Sequence, residues 1–354
     1  MMRYDGGEPN GGPDHGGGID RSSIRLADVA IAAGVSEATV SRVLNGRPGV
    51  APPTRQTVLA ALDTLGFERP VRSRQRSAGL VGLITPELDN PIFPAFAQVI
   101  ERTLTLHGFT PVLCTQLPGG ATEDEFTTML TERGVSGIVF VSGLHADTTT
   151  KPDRYQRLID RKLPIVLING YLAGVDAPFF SADDRAAMSL AIRHLSALGH
   201  QRIGLALGPA RYFPVVRKMD GFAEVIASVG ADGFVEHSLF SFEGGQSAGE
   251  ALIRRGCTAI VCGSDLMALG AVRAARERGL RVPHDISVVG FDDSALIAFT
   301  DPPLTTIRQP VAAMGAAAAR ALVEAIGGAS TPAGEFVFQP ELVVRNSTAA
   351  VPDA

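Results

Sequence analysis

Seven short apolar runs, separated by amphipathic stretches, constrain the fold of this chain more than any other feature. They are LVGLIT (80–85), TPVLC (110–114), GIVFV (137–141), PIVLI (164–168), RIGLAL (202–207), AIVCG (259–263) and SVVGF (287–291). Runs that are apolar throughout are typical of strands buried on both faces, and the stretches between them have helical periodicity. The alternation therefore predicts an α/β body of doubly wound parallel sheets with helices on both faces.

The length of this body, residues 80–347, predicts two lobes, because the stretch is too long for one such sheet. We expect the chain to change lobe near residues 181 and 308. Four further segments flank or precede the body: a Gly-rich tail (1–23) that cannot bury apolar surface, a head (24–67), an Arg-rich linker (68–79) and a short tail (348–354).

Charge is unevenly distributed along the chain. Residues 21–79 carry nine arginines against four acidic residues, although the whole chain has a net charge of −5. A basic segment ahead of an acidic body is what docking onto phosphates requires. An arginine-rich, solvated linker is the alternative that charge alone leaves open.

The head has the apolar spacing of three short helices. Leu26, Val29, Ala30 and Ala33 share one helical face, and a second stripe follows at 40–44. Gly34 can adopt the left-handed conformation of a sharp turn, and the serine two residues after it can cap the next helix with its hydroxyl. With a third helix that starts near the prolines at 52–53 and ends at 66, the pattern predicts a helix-turn-helix, and we predict that its partner is double-stranded DNA.

The second helix, in GVSEATVSRVLNG (34–46), is polar on one face, which suits a helix that enters the major groove. We predict phosphate contacts from Ser36, Thr39 and Ser41, and base contacts from Glu37, Ala38 and Arg42. An arginine here can pair bidentately with a guanine. The other predicted DNA-binding residues are Asn45, Arg55, Arg69, Val71 and Arg72.

The segment IRLADVAIAAGVSEATVSRVLNGRPGVAPPTRQTVLAALDTLGF resembles the DNA-binding head of the lactose-repressor/galactose-repressor family, and the resemblance continues through nearly all of 24–347. It implies a body like that of periplasmic binding proteins, with the last segment crossing back between the lobes. Arg25 and Ala51 depart from the family, which usually has Ser or Thr before the first helix and Ser before the third. Each change implies a weaker helix cap, costing about 1 kcal/mol at most.

The linker departs further, because it contains no leucine between Gly66 and Gly79. The resemblance implies a hinge helix that wedges a leucine into the minor groove, at the cost of unstacking the bases. Val71 is the only aliphatic candidate for this role. One hypothesis is a weaker kink, supported by phosphate contacts from the linker arginines; a flexible basic tether is the other.

Polar and aromatic side chains follow several of the apolar runs, where ligands bind in open α/β sheets. The predicted ligand-binding residues are Asp89, Asn90, Phe93, Asn169, Asp183, Arg217, Lys218, Phe240, Ser264 and Asp292. Carboxylates and amides satisfy vicinal hydroxyls and aromatic faces cover a pyranose, so the composition suits a neutral sugar. Two alternatives remain open: Asp183 and Asp293 can serve as helix caps, and Phe93 can belong to the core.

The resemblance assigns effector contact to five of these residues: Phe93, Asn169, Asp183, Phe240 and Asp292. Lys218 stands where the family usually has Arg, so the neighbouring Arg217 is a candidate for that role. Ser264 stands where some relatives have a sugar-binding Asn.

Other classes of function have little support in the sequence. No nucleophile–base constellation is evident, GLALGP (204–209) lacks the dinucleotide-binding spacing, and His200 has no partner at metal-ligand spacing. We therefore expect no enzyme activity, no metal and no cofactor. The three cysteines match no disulfide pattern, no apolar run is long enough for a membrane span, and the N-terminus lacks a signal sequence, so we expect a cytoplasmic protein.

Several segments of the body are similar to actinobacterial regulators of maltose and maltodextrin uptake. They include RPVRSRQRSAGLVGLITPELDNPIFPAFAQVI and LIAFTDPPLTTIR. The resemblance implies a repressor of carbohydrate genes, and the lack of an apolar heptad at the C-terminus predicts a homodimer on a palindromic operator. The alternatives are a global catabolite regulator controlled by a partner protein and a sugar-binding transport protein.

Overall fold

The computed structural model describes residues 24–44, 47–67, 78–117 and 119–351. The chain divides into two compact units, residues 1–75 and 76–354. The predicted Gly-rich tail, most of the predicted linker and the last three residues lie outside the described part of the chain. Among the described helices, none is long and apolar enough to cross a membrane.

The head consists of three helices: α1 (Leu26–Ala33), α2 (Glu37–Leu44) and α3 (Pro52–Leu65). Val29, Val40 and Val58, one from each helix, are fully buried at its centre. Gly34 turns the chain between α1 and α2 in the left-handed region, at a φ of 64°. A side chain at this φ would be strained, so glycine is the residue that the tight turn requires.

Twelve strands form the two sheets of the described body. They are β1 (Gly79–Thr85), β2 (Phe109–Thr115), β3 (Gly137–Val141), β4 (Ile165–Ile168), β5 (Pro178–Ala182), β6 (Arg202–Leu207), β7 (Asp232–His237), β8 (Ala259–Cys262), β9 (Ser287–Asp292), β10 (Thr305–Arg308), β11 (Gly334–Phe338) and β12 (Glu341–Val343). The N-terminal sheet has the order β11-β5-β4-β3-β1-β2 and the C-terminal sheet the order β12-β10-β9-β8-β6-β7. Every pairing is parallel except that of β10 with β12.

Eight helices cover the two sheets. They are α4 (Ile92–Leu106), α5 (Glu123–Glu132), α6 (Asp153–Asp160), α7 (Asp184–Ala197), α8 (Phe213–Val229), α9 (Phe242–Arg254), α10 (Asp265–Glu277) and α11 (Val311–Ile326). In the N-terminal lobe, α4 and α11 share one apolar cluster with the sheet, and α5 and α6 share another. In the C-terminal lobe, α7 and α8 pack on one face and α9 and α10 on the other. The doubly wound fold class predicted from the alternating pattern is confirmed.

The chain passes between the lobes three times: after β5, after β10 and between β11 and β12. Two of the crossing segments are hydrogen-bonded to each other, since the Asp183 backbone N–H donates to the Phe338 carbonyl at 2.8 Å. The Gln339 side chain also donates to the Asp183 carboxylate at 3.1 Å. These bonds tie the crossing segments together at the base of the cleft between the lobes.

Five of the twelve strands, β5, β7, β10, β11 and β12, are absent from the seven predicted runs. Three of them, β7, β11 and β12, are outermost strands of their sheets and retain exposed or half-buried positions, so they lack a continuous apolar run. The other two are short and begin at a proline or with polar residues, PFFSA and TTIR, although all their positions except Arg308 are buried. In these strands, tertiary packing rather than composition decides the structure.

Candidate functional site

The exposed side of α2 carries the residues predicted to reach DNA. Glu37, Ala38 and Arg42 are exposed, whereas Val40 and Val43 face the head's core. The Ser36 hydroxyl accepts a hydrogen bond from the Thr39 backbone N–H at 3.3 Å and so caps the start of the helix. A short polar helix held by one apolar stripe leaves its other side available to a groove.

The structure gives less support to the other predicted DNA-binding residues. Arg55 is half-buried on α3. Asn45, Arg69, Val71 and Arg72 lie outside the described residues, so their roles stay predictions. Arg25 and Ala51, where weaker caps were expected, provide no side-chain cap to α1 and α3.

A cavity of about 520 Å³ lies between the two lobes of the body, at the carboxyl ends of the strands. Eight of the predicted ligand-binding residues line it: Asn90, Phe93, Asn169, Arg217, Lys218, Phe240, Ser264 and Asp292. They come from both lobes, so a molecule in the cavity can contact both. Ligand pockets commonly have volumes of about 300–1,000 Å³, and this one is large enough for a small organic ligand.

Asp292 ends strand β9 and is buried at the floor of the cavity. Its carboxylate accepts a hydrogen bond from the Gln309 side-chain amide at 2.6 Å. Burial, followed by the proximity of Asp265, raises the pKa of Asp292 well above its usual range. A carboxyl group with so little solvation gains most from a ligand that supplies hydrogen-bond donors, such as hydroxyls.

Lys218 and Asp184 form a buried ion pair on the C-terminal side of the cavity. The Lys218 ammonium also lies 3.9 Å from the centroid of the Phe291 ring. Desolvation raises the pKa of Asp184, and the lysine opposes this shift. The cation predicted to contact the ligand is therefore paired with a carboxylate inside the wall of the cavity.

Two ion pairs join the lobes at the rim of the cavity. Arg217 of α8 donates to both carboxylate oxygens of Glu335 on β11, each at 2.6 Å. Arg211, which follows β6, donates through Nε to Asp147 of the N-terminal lobe at 2.9 Å. The Thr148 backbone N–H adds a hydrogen bond to the Arg211 carbonyl at 2.8 Å. The two pairs hold the lobes together in the structure.

Aromatic rings form a second kind of wall in the cavity. Phe93 lines the cavity while packing against the N-terminal core, so both roles considered for it from the sequence are compatible. Phe240 packs directly on Gly208, where a Cβ would overlap the ring. Tyr212 lies beside it, with ring centroids 6.3 Å apart. Apolar faces next to carboxylates and amides provide the mixed surface that a sugar requires.

Three cavity residues have backbone conformations that non-glycine residues rarely adopt. Ser142, Asn169 and Asp292, at the ends of β3, β4 and β9, have φ values of 47°, 62° and 124°. Conformations of this kind cost roughly 1–3 kcal/mol each and are concentrated at functional sites. Their position at three strand ends supports the assignment of the cavity as the ligand site.

Comparison with known proteins places this geometry in a family. Residues 25–69 match the model described as bacterial regulatory proteins, lacI family, and residues 192–348 match the periplasmic binding protein-like domain. The HTH-type transcriptional regulator reg1 of Streptomyces lividans is 67% identical over 338 residues, which cover 93% of this chain and 98% of that protein. This chain belongs to the lacI family of bacterial regulatory proteins.

Further relatives of this lacI-family regulator agree with the assignment. The HTH-type transcriptional regulator MalR of Streptomyces coelicolor is 66% identical over 337 residues, covering 93% of this chain and 98% of the relative. Among solved structures, the complex of the transcriptional regulator CelR with cellobiose has a TM-score of 0.68 at 31% identity and covers 92% of this chain and 100% of that one. The lac repressor dimer bound to operator and the anti-inducer ONPF has a TM-score of 0.66 at 28% identity, covering 92% and 99%.

These comparisons confirm several expectations from the sequence. The family resemblance, the helix-turn-helix head and the body like that of periplasmic binding proteins are confirmed. The chain is a DNA-binding transcription regulator and not an enzyme, as its relatives are transcription regulators. His200, interpreted as structural, lies within hydrogen-bond distance of the Thr258 and Ser287 hydroxyls.

Two predicted ligand residues of this lacI-family regulator do not line the cavity. Asp89 is exposed on the loop after β1. Asp183 accepts a hydrogen bond from the Ala186 backbone N–H at 2.9 Å and caps α7, which was the alternative considered for it. Its neighbour Asp184 lines the cavity instead, because the first turn of α7 directs successive side chains about 100° apart.

Other expectations about individual residues also change. Arg217 is paired with Glu335, so it does not offer a free guanidinium to a ligand in this structure. Ser264 lines the cavity, but its hydroxyl accepts from the Met267 backbone N–H at 3.2 Å and caps α10. Asp293 caps no helix; it pairs with Arg308 and Arg345, each at 2.6 Å.

Sequence reasoning missed eight polar residues of the cavity: Glu87, Ser142, Ser181, Asp184, Arg211, Tyr212, Ser241 and Gln309. Ser181 and Gln309 are the most informative, because they belong to or follow β5 and β10, the two buried strands that the sequence did not reveal. Among the described residues, the Ser181 hydroxyl has no hydrogen-bond partner although it is buried. A ligand hydroxyl in the cavity would supply one.

Proposed function

We propose that this chain is a repressor of carbohydrate-utilisation genes that binds a palindromic operator as a homodimer and responds to a small neutral sugar in the cavity between its lobes. The observation that carries the sugar proposal is the polar floor of that cavity. Asp292, Asn169 and Gln309 present planar hydrogen-bonding groups there, beside the aromatic face of Phe240.

The sugar class follows from the residues and from two likenesses. The cavity wall contains carboxylates, amides and aromatic rings. Two of the cations that line it are already paired, Lys218 with Asp184 and Arg217 with Glu335. Pairing of these cations favours a neutral ligand over an anionic one. Two likenesses favour a disaccharide or a short oligosaccharide: one to regulators of maltose uptake, the other to CelR, whose structure was solved with cellobiose. Maltose and maltodextrins are the first candidates.

The dimer is supported by apolar surface on both lobes. Leu106 and Leu113 of the N-terminal lobe are 76% and 47% exposed, and Leu296 and Phe299 of the C-terminal lobe are 74% and 85% exposed. Contiguous exposed apolar surface marks protein interfaces, and we propose that a second copy of this chain covers these four side chains. A two-fold dimer would present one head to each half of a palindrome.

The coupling mechanism follows from linkage. A sugar that contacts both lobes stabilises the closed arrangement, and DNA affinity changes by the same factor by which DNA changes sugar affinity. Couplings of this kind are typically about 1–3 kcal/mol. The sign of the DNA response distinguishes an inducer from a corepressor.

The experiment is a fluorescence-anisotropy titration of the full chain on the palindrome nearest its own gene, with and without a panel of sugars. We expect a salt-sensitive complex whose affinity a maltodextrin changes. Asp292→Asn should weaken the sugar response by about tenfold or more, since it replaces a buried carboxyl oxygen of the cavity with an amide donor, while the control Asp89→Asn leaves it unchanged. A tight complex that no sugar affects, but that a phosphorylated partner protein affects, would refute the sugar proposal and favour the global regulator.

A further inference from the structure

A second cavity, of about 390 Å³, lies between α5 and α6 on the N-terminal lobe, and the residues that line it are not those of the cleft between the lobes. Its two long walls differ in chemistry. One wall carries the hydroxyls of α5, and the other carries the guanidinium groups of α6 and the residue that follows it: Thr127, Thr128, Thr131, Arg154, Arg157 and Arg161. Within each wall the spacing is that of one helical face.

The arginines are not all neutralised by the protein. Arg154 is paired with Asp124 at 3.2 Å and with Glu123 at 3.8 Å, although its Nη1 atom is buried and has no hydrogen-bond partner in the described part of the chain. Arg157 and Arg161 are exposed, and neither forms an ion pair with any described residue. Two guanidinium groups one turn apart match the oxygens of a phosphate, which arginine binds bidentately.

The wall formed by α5 carries hydroxyl and carboxylate groups instead of guanidinium groups. Asp124 and Glu132 add carboxylates to the threonine hydroxyls of α5. Carboxylates repel a bare phosphate but accept hydrogen bonds from the hydroxyls of a polyol. A ligand that satisfies both walls therefore carries a phosphate at one end and hydroxyls at the other.

We propose that the cavity between α5 and α6 binds a small phosphorylated sugar, with its phosphate on Arg157 and Arg161 and its hydroxyls on the wall formed by α5. The site is separate from the sugar cleft, so the two ligands do not compete for the same residues.

The cavity is connected to the cleft through a buried network. The Tyr155 hydroxyl donates to Glu123 at 2.6 Å, and the His145 backbone N–H donates to the same hydroxyl at 2.8 Å. The other Glu123 oxygen accepts from the Leu144 backbone N–H at 2.8 Å. These bonds hold the loop at 143–147, whose last residue, Asp147, pairs with Arg211 across the cleft.

Desolvation raises the pKa of Glu123, so this carboxyl group is sensitive to charges placed beside Arg154. A phosphorylated ligand that draws Arg154 toward itself changes the support of the loop at 143–147. The expected consequence is a change in how firmly the lobes close, and this part of the inference rests on the proposed function of the cleft.

The binding test uses isothermal titration of the full chain with glucose 6-phosphate, compared with inorganic phosphate and glucose. We expect glucose 6-phosphate to bind more tightly than either control ligand. The double variant Arg157→Ala/Arg161→Ala should weaken this binding about tenfold or more, whereas Arg133→Ala, an exposed arginine outside the cavity, should leave it unchanged.

Two results would overturn the assignment: no binding to the wild-type chain, or binding that the double variant retains. Equal affinity for inorganic phosphate and glucose 6-phosphate would refute the role of the threonine and carboxylate wall. None of these measurements uses the operator or the cleft sugar, so their failure is distinguishable from failure of the proposed repressor function.

The coupling test uses Tyr155→Phe, which removes the hydroxyl that joins Glu123 to the loop. Glucose 6-phosphate should still bind to this variant but should no longer change the affinity of the cleft for its sugar. Glu123→Gln, which keeps the shape of the side chain, is the second variant if the first is poorly folded. A sugar affinity that responds to glucose 6-phosphate equally in wild type and both variants would exclude the network as the connection.

Discussion

The ion pair between Arg217 and Glu335 provides the sharpest test of how the cleft works. The two side chains come from different lobes, are 25% and 13% exposed, and share two hydrogen bonds of 2.6 Å. Glu335→Gln keeps the volume and one acceptor but removes the charge and one of the two charge-assisted bonds. Because the pair is only partly buried, we expect a loss of about 1–2 kcal/mol from the closed arrangement, equal to a factor of about 5–30.

The sign of the effect on sugar binding follows from this loss. A ligand that contacts both lobes binds the closed arrangement, and its apparent dissociation constant rises as the closed fraction falls. Glu335→Gln should therefore weaken sugar binding by up to about 30-fold. Titration calorimetry with the sugar selected by the operator experiment measures this directly, and small-angle scattering of the ligand-free variant should show a larger radius of gyration.

The control is Glu277→Gln on α10, which breaks an exposed ion pair with Arg273 inside one helix. This variant should bind sugar like the wild type. If Glu335→Gln binds sugar more tightly instead, Arg217 is a direct ligand with which Glu335 competes, and the interpretation of the pair as a link between lobes is wrong.

Three further predictions test the head, the electrostatics and the aromatic wall. Arg42→Ala should cost about 1–3 kcal/mol of specific DNA binding and leave sugar calorimetry unchanged; equal losses on all DNA sequences would exclude a base contact. Burial raises the pKa of Asp265 from 3.8 to about 6, so its contribution to stability is complete below pH 3.8 and is lost as the pH rises through about 6. Asp265→Asn should therefore flatten the pH dependence of the unfolding midpoint in that window, and an unchanged slope would assign the dependence to another group. Gly208→Ala should displace Phe240 and weaken sugar binding without reducing DNA affinity, and unchanged sugar calorimetry would exclude the ring from the site.

Local features of the fold were accessible from the sequence because they depend on neighbours along the chain. The turn at Gly34 and the cap at Ser36 follow from backbone preferences within a few residues. Six of the seven apolar runs became inner strands of the sheets, because strands buried on both faces must be apolar. The seventh became β2, an outermost strand with exposed positions. The family could be recognised for the same reason, since its motifs are contiguous.

The arrangement of charge in the cleft depends on contacts between distant residues and was decided by the tertiary structure. Arg217 lies beside Lys218 in the sequence, yet its partner Glu335 is 118 residues away on a strand that the apolar pattern did not reveal. Lys218 is paired with Asp184 rather than Asp183 because the phase of α7 directs only one of two adjacent carboxylates into the cavity.

The sequence by itself therefore determined the fold class, the helix-turn-helix head and eight of the residues that line the cleft. Those features follow from periodicity and from the rule that ligands bind at the carboxyl ends of strands. Only the tertiary structure decided which charged groups are already paired and which remain available to a ligand. Pairing depends on distances of a few ångströms between side chains brought together by folding, and no local pattern in the chain records those distances.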